Sequence, residues 1–463
     1  MKRSRPDFDR IRAVYFLGIG GIGMSAIARF FKAQGKEVAG YDKTRTPLTI
    51  ELEQEGISVH YQDDPAEIRS GFTDVRDTLV VLTPAIPPDH REWAFFRDKG
   101  FDILKRSEVL GVIADSHYTV AVAGTHGKTT TSTMIAFLLR HAGVPCSAFL
   151  GGIAKNFNSN LVIGHEQDGR HILVVEADEY DRSFLTLHPD IAVITSMDPD
   201  HLDIYGTEKD MQDTYRKFAG QVRHDGYLIC RKGLPVGEVP ATTITYSLNG
   251  PADRHAQDVT IRDHQYLFDW TDGSVVFHGL TTRLPGEHNV ENAVAAISAV
   301  RQIGLSEVQI REGLAAYTGV KRRFDYQVRS EKHIYIDDYA HHPEELRACI
   351  RSARNLYPGR HLTGIFQPHL YTRTRDFADG FAENLSMLDR LLLLDIYPAR
   401  ELPLPGVTSS MILEKVTIAD KQLVRKEEVA NFLKVHPVEV LLTLGAGDID
   451  QLVDPIRETL SQS

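Results

Sequence analysis

Three α/β domains in series are what the sequence predicts, and three observations carry that reading. Short apolar runs alternate with helix-patterned segments along most of the chain, the pattern of parallel sheets built from strand–helix units. Two glycine-rich turns, at residues 18–23 and 124–127, each follow an apolar run and open a helical pattern. Over residues 242–284 the pattern shifts to short alternating runs with turns (V-T-I, Y-L-F-D-W, S-V-V-F), which reads as an antiparallel meander. The expected architecture is a Rossmann-like domain over 1–108, then a central domain over 109–320 with a P-loop ATPase-type parallel sheet and the added meander. A second Rossmann-like domain follows over 321–463. The 463 residues suit this division, at about 150 per domain.

Composition sets limits on function. The net charge of −11 and the lack of a long basic run argue against a general nucleic-acid binder. The three cysteines (Cys146, Cys230, Cys349) lie far apart, which suits a reducing cytoplasm and no disulfide or zinc framework. The basic start and uncharged stretch over 13–28 resemble a signal peptide. Four glycines interrupt that stretch, and it is too short to span a bilayer, so a strand, turn and helix are expected instead.

In the first domain, a strand over 13–17 leads into G-I-G-G-I-G with Gly18, Gly20, Gly21 and Gly23. A helix and a second strand over 37–41 follow, ending at Asp42. This is the dinucleotide-binding arrangement, with the acid meeting a ribose hydroxyl. The turn suits the diphosphate of NAD or of a UDP-sugar equally. A further strand over 79–82 ends at Thr83.

The central domain carries the strongest signal. A strand over 119–123 runs into G-T-H-G-K-T-T, then a helical pattern. Gly124, Thr125 and Gly127 let backbone N–H groups approach a phosphate at a helix N-terminus, with Thr130 in the same turn. Lys128 offers a point charge for the outer phosphates, and the Thr129 hydroxyl suits Mg²⁺. The spacing is shorter than G-x-x-x-x-G-K-[ST], but the strand before and helix after support an ATP site. A strand over 172–175 ends in E-A-D-E-Y-D, and one over 191–195 leads to S-M-D-P-D-H-L-D. Glu176 is the expected Mg²⁺ ligand, with His201 a candidate for a second ion. Asp200 and Asp203 are expected to start a helix over 207–222. Asn289 and Asn292 open a long helix on one face; their spacing favours capping over reading an adenine edge.

In the third domain, strands over 334–336, 362–366, 391–394 and 440–444 end respectively in D-D-Y-A-H-H-P, Q-P-H-L-Y-T-R-T-R-D, Asp395 and G-A-G-D. Asp42, Thr83, the phosphate loop, Glu176, Asp198, Asp338, His369 and Gly445 thus all lie at or just past C-terminal strand ends, where open parallel sheets bind ligands.

G-T-H-G-K-T-T, E-A-D-E-Y-D-x-S-F, D-H-L-D-x-Y, G-E-H-N-x-x-N, R-R-F-D, D-D-Y-A-H-H-P and Q-P-H-x-Y-T-R-T, in this order over nearly the whole chain, closely resemble the Mur ligase family. The resemblance implies ATP-dependent ligation, in which a carboxylate is phosphorylated and an amine attacks the acyl phosphate. It is nearest to the members that join L-alanine to UDP-N-acetylmuramate in peptidoglycan synthesis. By motif position it implies that Lys128 meets the transferred phosphate, that Thr129 and Glu176 hold one Mg²⁺, and that Glu176 and His201 hold a second. It turns Asn289 and Asn292 from caps into adenine contacts, and gives Arg323 the phosphates and Asp338 the ribose. Gly18 to Gly23 and Asp42 resemble the UDP-binding edge, with His126 and Ser183 near the muramoyl arm. Tyr339, His341, His369 and Arg373 correspond to the amino-acid pocket, where a guanidinium pairs with the alanine carboxylate.

Leu370 departs from the family pattern, standing where many members carry arginine. No lysine falls in register with the carbamylated lysine of other members; Lys217 comes within one residue. The implied partners are these small molecules, without nucleic acid or membrane, in a cytoplasmic monomer or weak homodimer. The rival readings are a sister ligase adding a preformed peptide in wall recycling, an NAD-dependent oxidoreductase, and a non-catalytic nucleotide-binding module.

Overall fold

Strand Ala13–Leu17 is buried at every position, because helices cover both faces of the sheet it centres. The computed structural model describes residues 8, 10–164, 171–199, 202–399 and 401–461, without the side chains of residues 181, 202 and 203. The chain divides into two units: Met1–His255 with Trp270–Val276 and Asn292–Tyr317, and Ala256–Asp269 with Phe277–Glu291 and Thr318–Ser463.

The first unit holds the parallel five-stranded sheet Ser58–His60, Glu37–Tyr41, Ala13–Leu17, Thr78–Leu82, Asp102–Lys105. Strand order reverses at Ala13–Leu17, which places the Gly18–Gly23 turn and Thr83 side by side at the switch point where such sheets bind ligands. A second sheet, ten-stranded in all, includes in this unit the neighbouring strands Thr242–Ser247, Tyr227–Arg231, Ile191–Ile194, Tyr118–Ala123, Ile172–Glu176, Cys146–Ala154, Ser159–Val162. Among these seven strands every neighbouring pair is parallel except the last. Its central strands are the apolar runs of the sequence: Val120, Val122, Val174 and Val193 are fully buried. One apolar core joins the two sheets of this unit, from Val14 and Ile27 to Phe184, Phe218 and Leu228.

Two expectations need correction here. Thr242–Ser247 is not part of a meander; it lies parallel to Tyr227–Arg231. The ten-residue connection between them is long enough to return the chain to the same sheet end, where a tight turn would have reversed it. The meander starts with Arg254–Arg262, which turns through Asp263 and His264, both at positive φ, into Gln265–Thr271 and then Val276–Thr282. The expected helix over 207–222 is Glu208–Ala219, with the Thr207 side chain as its cap and Glu208 and Asp210 as its first-turn acids. A separate short helix, Leu202–Tyr205, precedes it.

The second unit contains a six-stranded sheet in the order Asp325–Arg329, Ile334–Asp338, Val440–Leu444, Leu362–Phe366, Arg390–Leu393, Asp420–Leu423. Its first pair is antiparallel and the others are parallel. The four inner strands match the expected apolar runs. The two edges are half polar and carry no such signal. Tyr335, Ile365, Leu392 and Leu441 are fully buried in the core between this sheet and its helices.

The segment after Glu176 is fixed by aromatic packing. Phe184, 1% exposed, stacks on Phe218 at 4.9 Å and meets Tyr215 edge-on at 5.2 Å. Phe184→Ala is expected to cost about 3–5 kcal/mol, read as a lowered thermal or denaturant midpoint. A loss below about 1 kcal/mol would show that this segment is not tied to the core.

Candidate active site

The phosphate loop leaves strand Tyr118–Ala123 at Gly124 and enters helix Lys128–His141 at Gly127. Gly124 and Gly127 both have positive φ (137° and 81°), which a residue with a Cβ adopts only with strain. No side chain caps the helix, and no acid lies in its first turn, so its N–H groups and dipole are left for an anion. Lys128 Nζ donates to the Gly124 carbonyl at 2.6 Å and to Glu179 Oε1 at 2.8 Å. Burial pulls the ammonium's pKa down, but the charges of Glu179, Glu176 and Asp178 outweigh it and hold Lys128 protonated above its ordinary range.

Glu176 ends its strand with one carboxylate oxygen accepting from the Thr129 hydroxyl at 3.1 Å and the other from the Gly151 N–H at 2.9 Å. Desolvation raises the pKa of Glu176, and likewise that of Glu179. Two hard oxygen donors, Thr129 and Glu176, therefore meet beside the phosphate loop. Thr125 donates to the Asp198 carbonyl at 2.8 Å, and the Ser196 hydroxyl accepts from the His126 N–H at 2.8 Å. His126 Nε2 stands 4.0 Å from the Asp198 carboxylate. Thr130 is buried in the first turn, and Asn292, also buried, approaches Gly127 so closely that a Cβ there would lie 2.6 Å from its Oδ1.

At the glycine-rich turn, Asp42 follows its strand as expected, but its carboxylate is engaged by the turn itself. Oδ2 accepts from the Gly20 N–H at 2.7 Å and Oδ1 from the Thr44 N–H at 3.1 Å. Thr83 packs against Gly18, where an added Cβ would come within 2.4 Å of its methyl. Arg106 lies against Gly23 and reaches Asp178 at 3.4 Å, linking this turn to the E-A-D-E segment. The Ser183 hydroxyl, in the same segment, donates to the Asp178 carbonyl at 2.8 Å.

In the second unit, Asn289 is neither a helix cap nor free of the backbone: it lies inside helix Glu287–Ile303 and donates to the Pro285 carbonyl at 2.6 Å. The capping preference therefore fails for both asparagines, since each sits within the helix rather than ahead of it. The Asp338 carboxylate accepts from the Phe324 N–H at 2.6 Å and the Ala340 N–H at 2.8 Å. Burial pushes its pKa up to about 6 against the pull of Arg323. Tyr339, His341 and His369 form a cluster, with ring centroids 5.2 Å apart for Tyr339–His341 and 6.1 Å for His341–His369. The Arg323 guanidinium lies over Tyr339 at 5.4 Å and 3.4 Å from Glu345. Arg373 occupies the first turn of helix Tyr371–Leu385, near enough for its charge to act on His341.

His201 lies outside the described residues. Lys217 is exposed in the last turn of its helix. Glu179 was missed as the partner of Lys128, although it stands in the quoted E-A-D-E-Y-D. The segment offers three acids within four residues, and only the turn after the strand selects which one reaches the ammonium. Among the described residues, no group of three or more His, Cys, Asp or Glu side chains is arranged to hold a metal ion by itself.

His341 is the clearest titration probe. Burial brings its pKa down to about 4, against the partial support of Glu345. A histidine with a depressed folded pKa favours folding above its unfolded value of about 6.5, and that contribution is lost as pH falls toward 4. The ring resonances of His341 are expected to hold their neutral positions from pH 8 to 5 in an NMR titration. A midpoint near 6.5 would overturn its burial.

Family models cover most of the chain. One described as Mur ligase family, catalytic domain, matches residues 13–118. The Mur ligase middle domain matches 122–300, and the Mur ligase, glutamate ligase domain matches 322–447. The UDP-N-acetylmuramate–L-alanine ligase of Parabacteroides distasonis is 49% identical over 98% of this chain and 98% of its own. The solved UDP-N-acetylmuramate-alanine ligase of Thermotoga maritima superposes with a TM-score of 0.82 at 25% identity, covering 97% of this chain and 99% of that one. A murein peptide ligase of Psychrobacter arcticus gives 0.69 at 22% identity, covering 98% and 99%. With these similarities running end to end through the phosphate loop, the E-A-D-E segment and the histidine cluster, the chain belongs to the Mur ligase family.

Proposed function

We propose that this protein ligates L-alanine to the lactyl carboxylate of UDP-N-acetylmuramate, consuming ATP, in peptidoglycan synthesis. The observation that carries this reading is the 49% identity over 98% of the chain to a ligase of that name. The addition of a preformed peptide is the weaker reading, since the peptide ligase is less similar in both structure and sequence. The chain is taken to act in the cytoplasm as a monomer or weak homodimer; among the described residues, no helix is long and apolar enough to cross a membrane.

The chemistry follows from what a carboxylate lacks. It is a poor electrophile, so its oxygen first attacks the γ-phosphorus of ATP. An O–P bond forms, the bond to the β-phosphate oxygen breaks, and ADP leaves. The neutral amine of alanine then attacks the acyl carbon, the bond from that carbon to the phosphate oxygen breaks, and phosphate departs as the amide forms, the surplus N–H proton passing to the departing phosphate or to water. Negative charge grows on the transferred phosphoryl group, where Lys128 and the N-terminus of its helix stabilise it in a dry, oriented setting.

Thr129 and Glu176 suit Mg²⁺ because both present oxygen and Glu176 brings charge; the buried Oε2 of Glu179, without a hydrogen-bond partner, adds a third oxygen at the same loop. Bound Mg²⁺ would neutralise phosphate charge there. A second ion would draw on Glu176 and His201. By the same reading, Gly124, Thr125, Gly127 and Thr130 cradle phosphates, Asn289 and Asn292 meet adenine, Arg323 the phosphates and Asp338 the ribose. Gly18, Gly20, Gly21, Gly23, Asp42 and Thr83 serve the UDP moiety, with His126 and Ser183 toward the muramoyl arm. Tyr339, His341, His369 and Arg373 take alanine. Domain boundaries near 108 and 320 fit this division of labour.

Phosphate release with UDP-N-acetylmuramate across a panel of amino acids tests the function directly. Alanine should be preferred, with glycine and serine weaker, since one methyl discriminates by only about 1–3 kcal/mol. Activity only with a preformed peptide would overturn the reading. Lys128→Ala is expected to lower kcat about 10²–10³-fold while leaving UDP-N-acetylmuramate affinity within a few-fold, because the lysine acts on charge that develops during transfer. Near-normal turnover would sink its assignment. Glu176→Gln should shift the Mg²⁺ titration to markedly higher concentration, and an unmoved titration would place the metal elsewhere.

A further inference from the structure

The start of helix Tyr371–Leu385 is built against its own electrostatics. Its opening sequence, Y-T-R-T-R, puts Arg373 in the first turn, at the positive end of the helix dipole, with Arg375 just beyond it, and no acid lies in that turn. Its N-cap residue, Leu370, has no side chain to offer and sits at φ 68°, a strained setting for a leucine. Arg375 is paired with Asp376 at 2.7 Å. The missing cap and the missing negative charge both arrive from elsewhere in the chain. Glu401 Oε2 accepts from the Thr372 N–H at 3.0 Å, and Oε1 accepts from the Thr372 hydroxyl at 2.5 Å.

The loop that brings Glu401 is itself fastened to the same turn. Leu370 N–H donates to the Tyr397 carbonyl at 2.9 Å, and Tyr397 N–H donates to the Pro368 carbonyl at 2.8 Å. The Tyr397 ring stacks on His369 at 5.8 Å and 19°. Glu401 N–H also donates to the Pro398 carbonyl at 2.9 Å. Burial opposes ionisation of Glu401, but its bonds to Thr372 and the nearness of His369 more than offset this and keep its pKa below the ordinary carboxylate range. It is therefore a charged cap at neutral pH.

Resting on the proposed alanine pocket, we infer that Glu401 is a positioning residue for that pocket: it caps the helix at Thr372 and thereby sets the bearing of Arg373. Arg373 follows Thr372 directly, so fixing the Thr372 backbone fixes the Cα from which the guanidinium reaches. Alanine presents little besides a carboxylate and an amine, so most of its orientation comes from that one clamp, and a small rotation of the helix start weakens it. Both Glu401 oxygens are engaged by Thr372, and the Tyr371 N–H adds to the hold on the carboxylate. Glu401 acts through Arg373 and takes no share of the substrate.

The test is a double-mutant cycle in the full-length enzyme, read as KM for each substrate with kcat and thermal midpoint. Arg373→Lys keeps the charge and loses the fork, so it should raise the KM for alanine strongly. Glu401→Ala should raise the KM for alanine about tenfold, in the range that loss of a helix cap produces, and leave the KM values for ATP and UDP-N-acetylmuramate within about twofold. Glu401→Gln, which keeps one acceptor, should fall between, and it carries the test if the alanine variant does not fold. The double variant should be no worse for alanine than Arg373→Lys alone, because both changes act through one side chain.

An alanine KM unmoved by Glu401→Ala or Glu401→Gln, while Arg373→Lys raises it, would overturn the inference and leave the pocket standing. An alanine KM unmoved by Arg373→Lys would overturn the pocket and the inference together. Additive effects, or a rise in all three KM values along with a lowered thermal midpoint, would reduce Glu401 to a structural role.

Discussion

The buried contact between Lys128 and Glu179 is the constraint around which the first unit is arranged. An ammonium 14% exposed and a carboxylate 3% exposed are each costly out of water, and removing one partner of such a pair typically costs about 3–5 kcal/mol. The loop supplies further solvation to the ammonium alone, and Glu179 Oε2 is left buried without a hydrogen-bond partner. The Gly124 carbonyl accepts from the same ammonium, and the Tyr205 hydroxyl holds the Glu179 backbone in place by donating to its main-chain carbonyl at 2.5 Å. Holding Lys128 this way sets its charge inside the cradle before any nucleotide arrives, so little reorganisation remains to be done during transfer.

That arrangement in turn relies on parallel sheets. Strands Tyr118–Ala123, Ile172–Glu176 and Ile191–Ile194 are neighbours in one sheet and end at the same edge. The phosphate loop, the E-A-D-E segment and Ser196 therefore emerge together, although more than forty residues separate the loop from either partner. Thr195 and Ser196 grip the backbone of His126, and Glu176 grips Thr129. Rigid strands place the groups, and the loops supply only the last few ångströms.

The second unit solves a related problem with less help from its strands. Asp338 and the histidine cluster follow strand ends in the same way, but the amino-acid side leans on Tyr397, stacked on His369, and on Glu401, which caps Thr372. A short polar substrate gives the protein few handles, so the geometry of each one matters more.

The strand–turn–helix units, the phosphate loop and the acids Asp42, Glu176 and Asp338 at strand ends were legible in the sequence. They rest on local rules: apolar runs for buried strands, glycine where the backbone needs positive φ, charge at a helix start. The family resemblance ran through the same motifs. The local rules did not reveal the parallel course of Thr242–Ser247, because two short alternating runs look alike whether the chain reverses or crosses over. They did not identify Glu179 among three neighbouring acids, or show that Asp42 turns its carboxylate to the Gly20 N–H. Nor did they link Glu401 to a helix thirty residues earlier. Each of these is a contact between segments distant in sequence, or a choice among chemically equal neighbours. Only the tertiary fold, which fixes distance and burial, decided them.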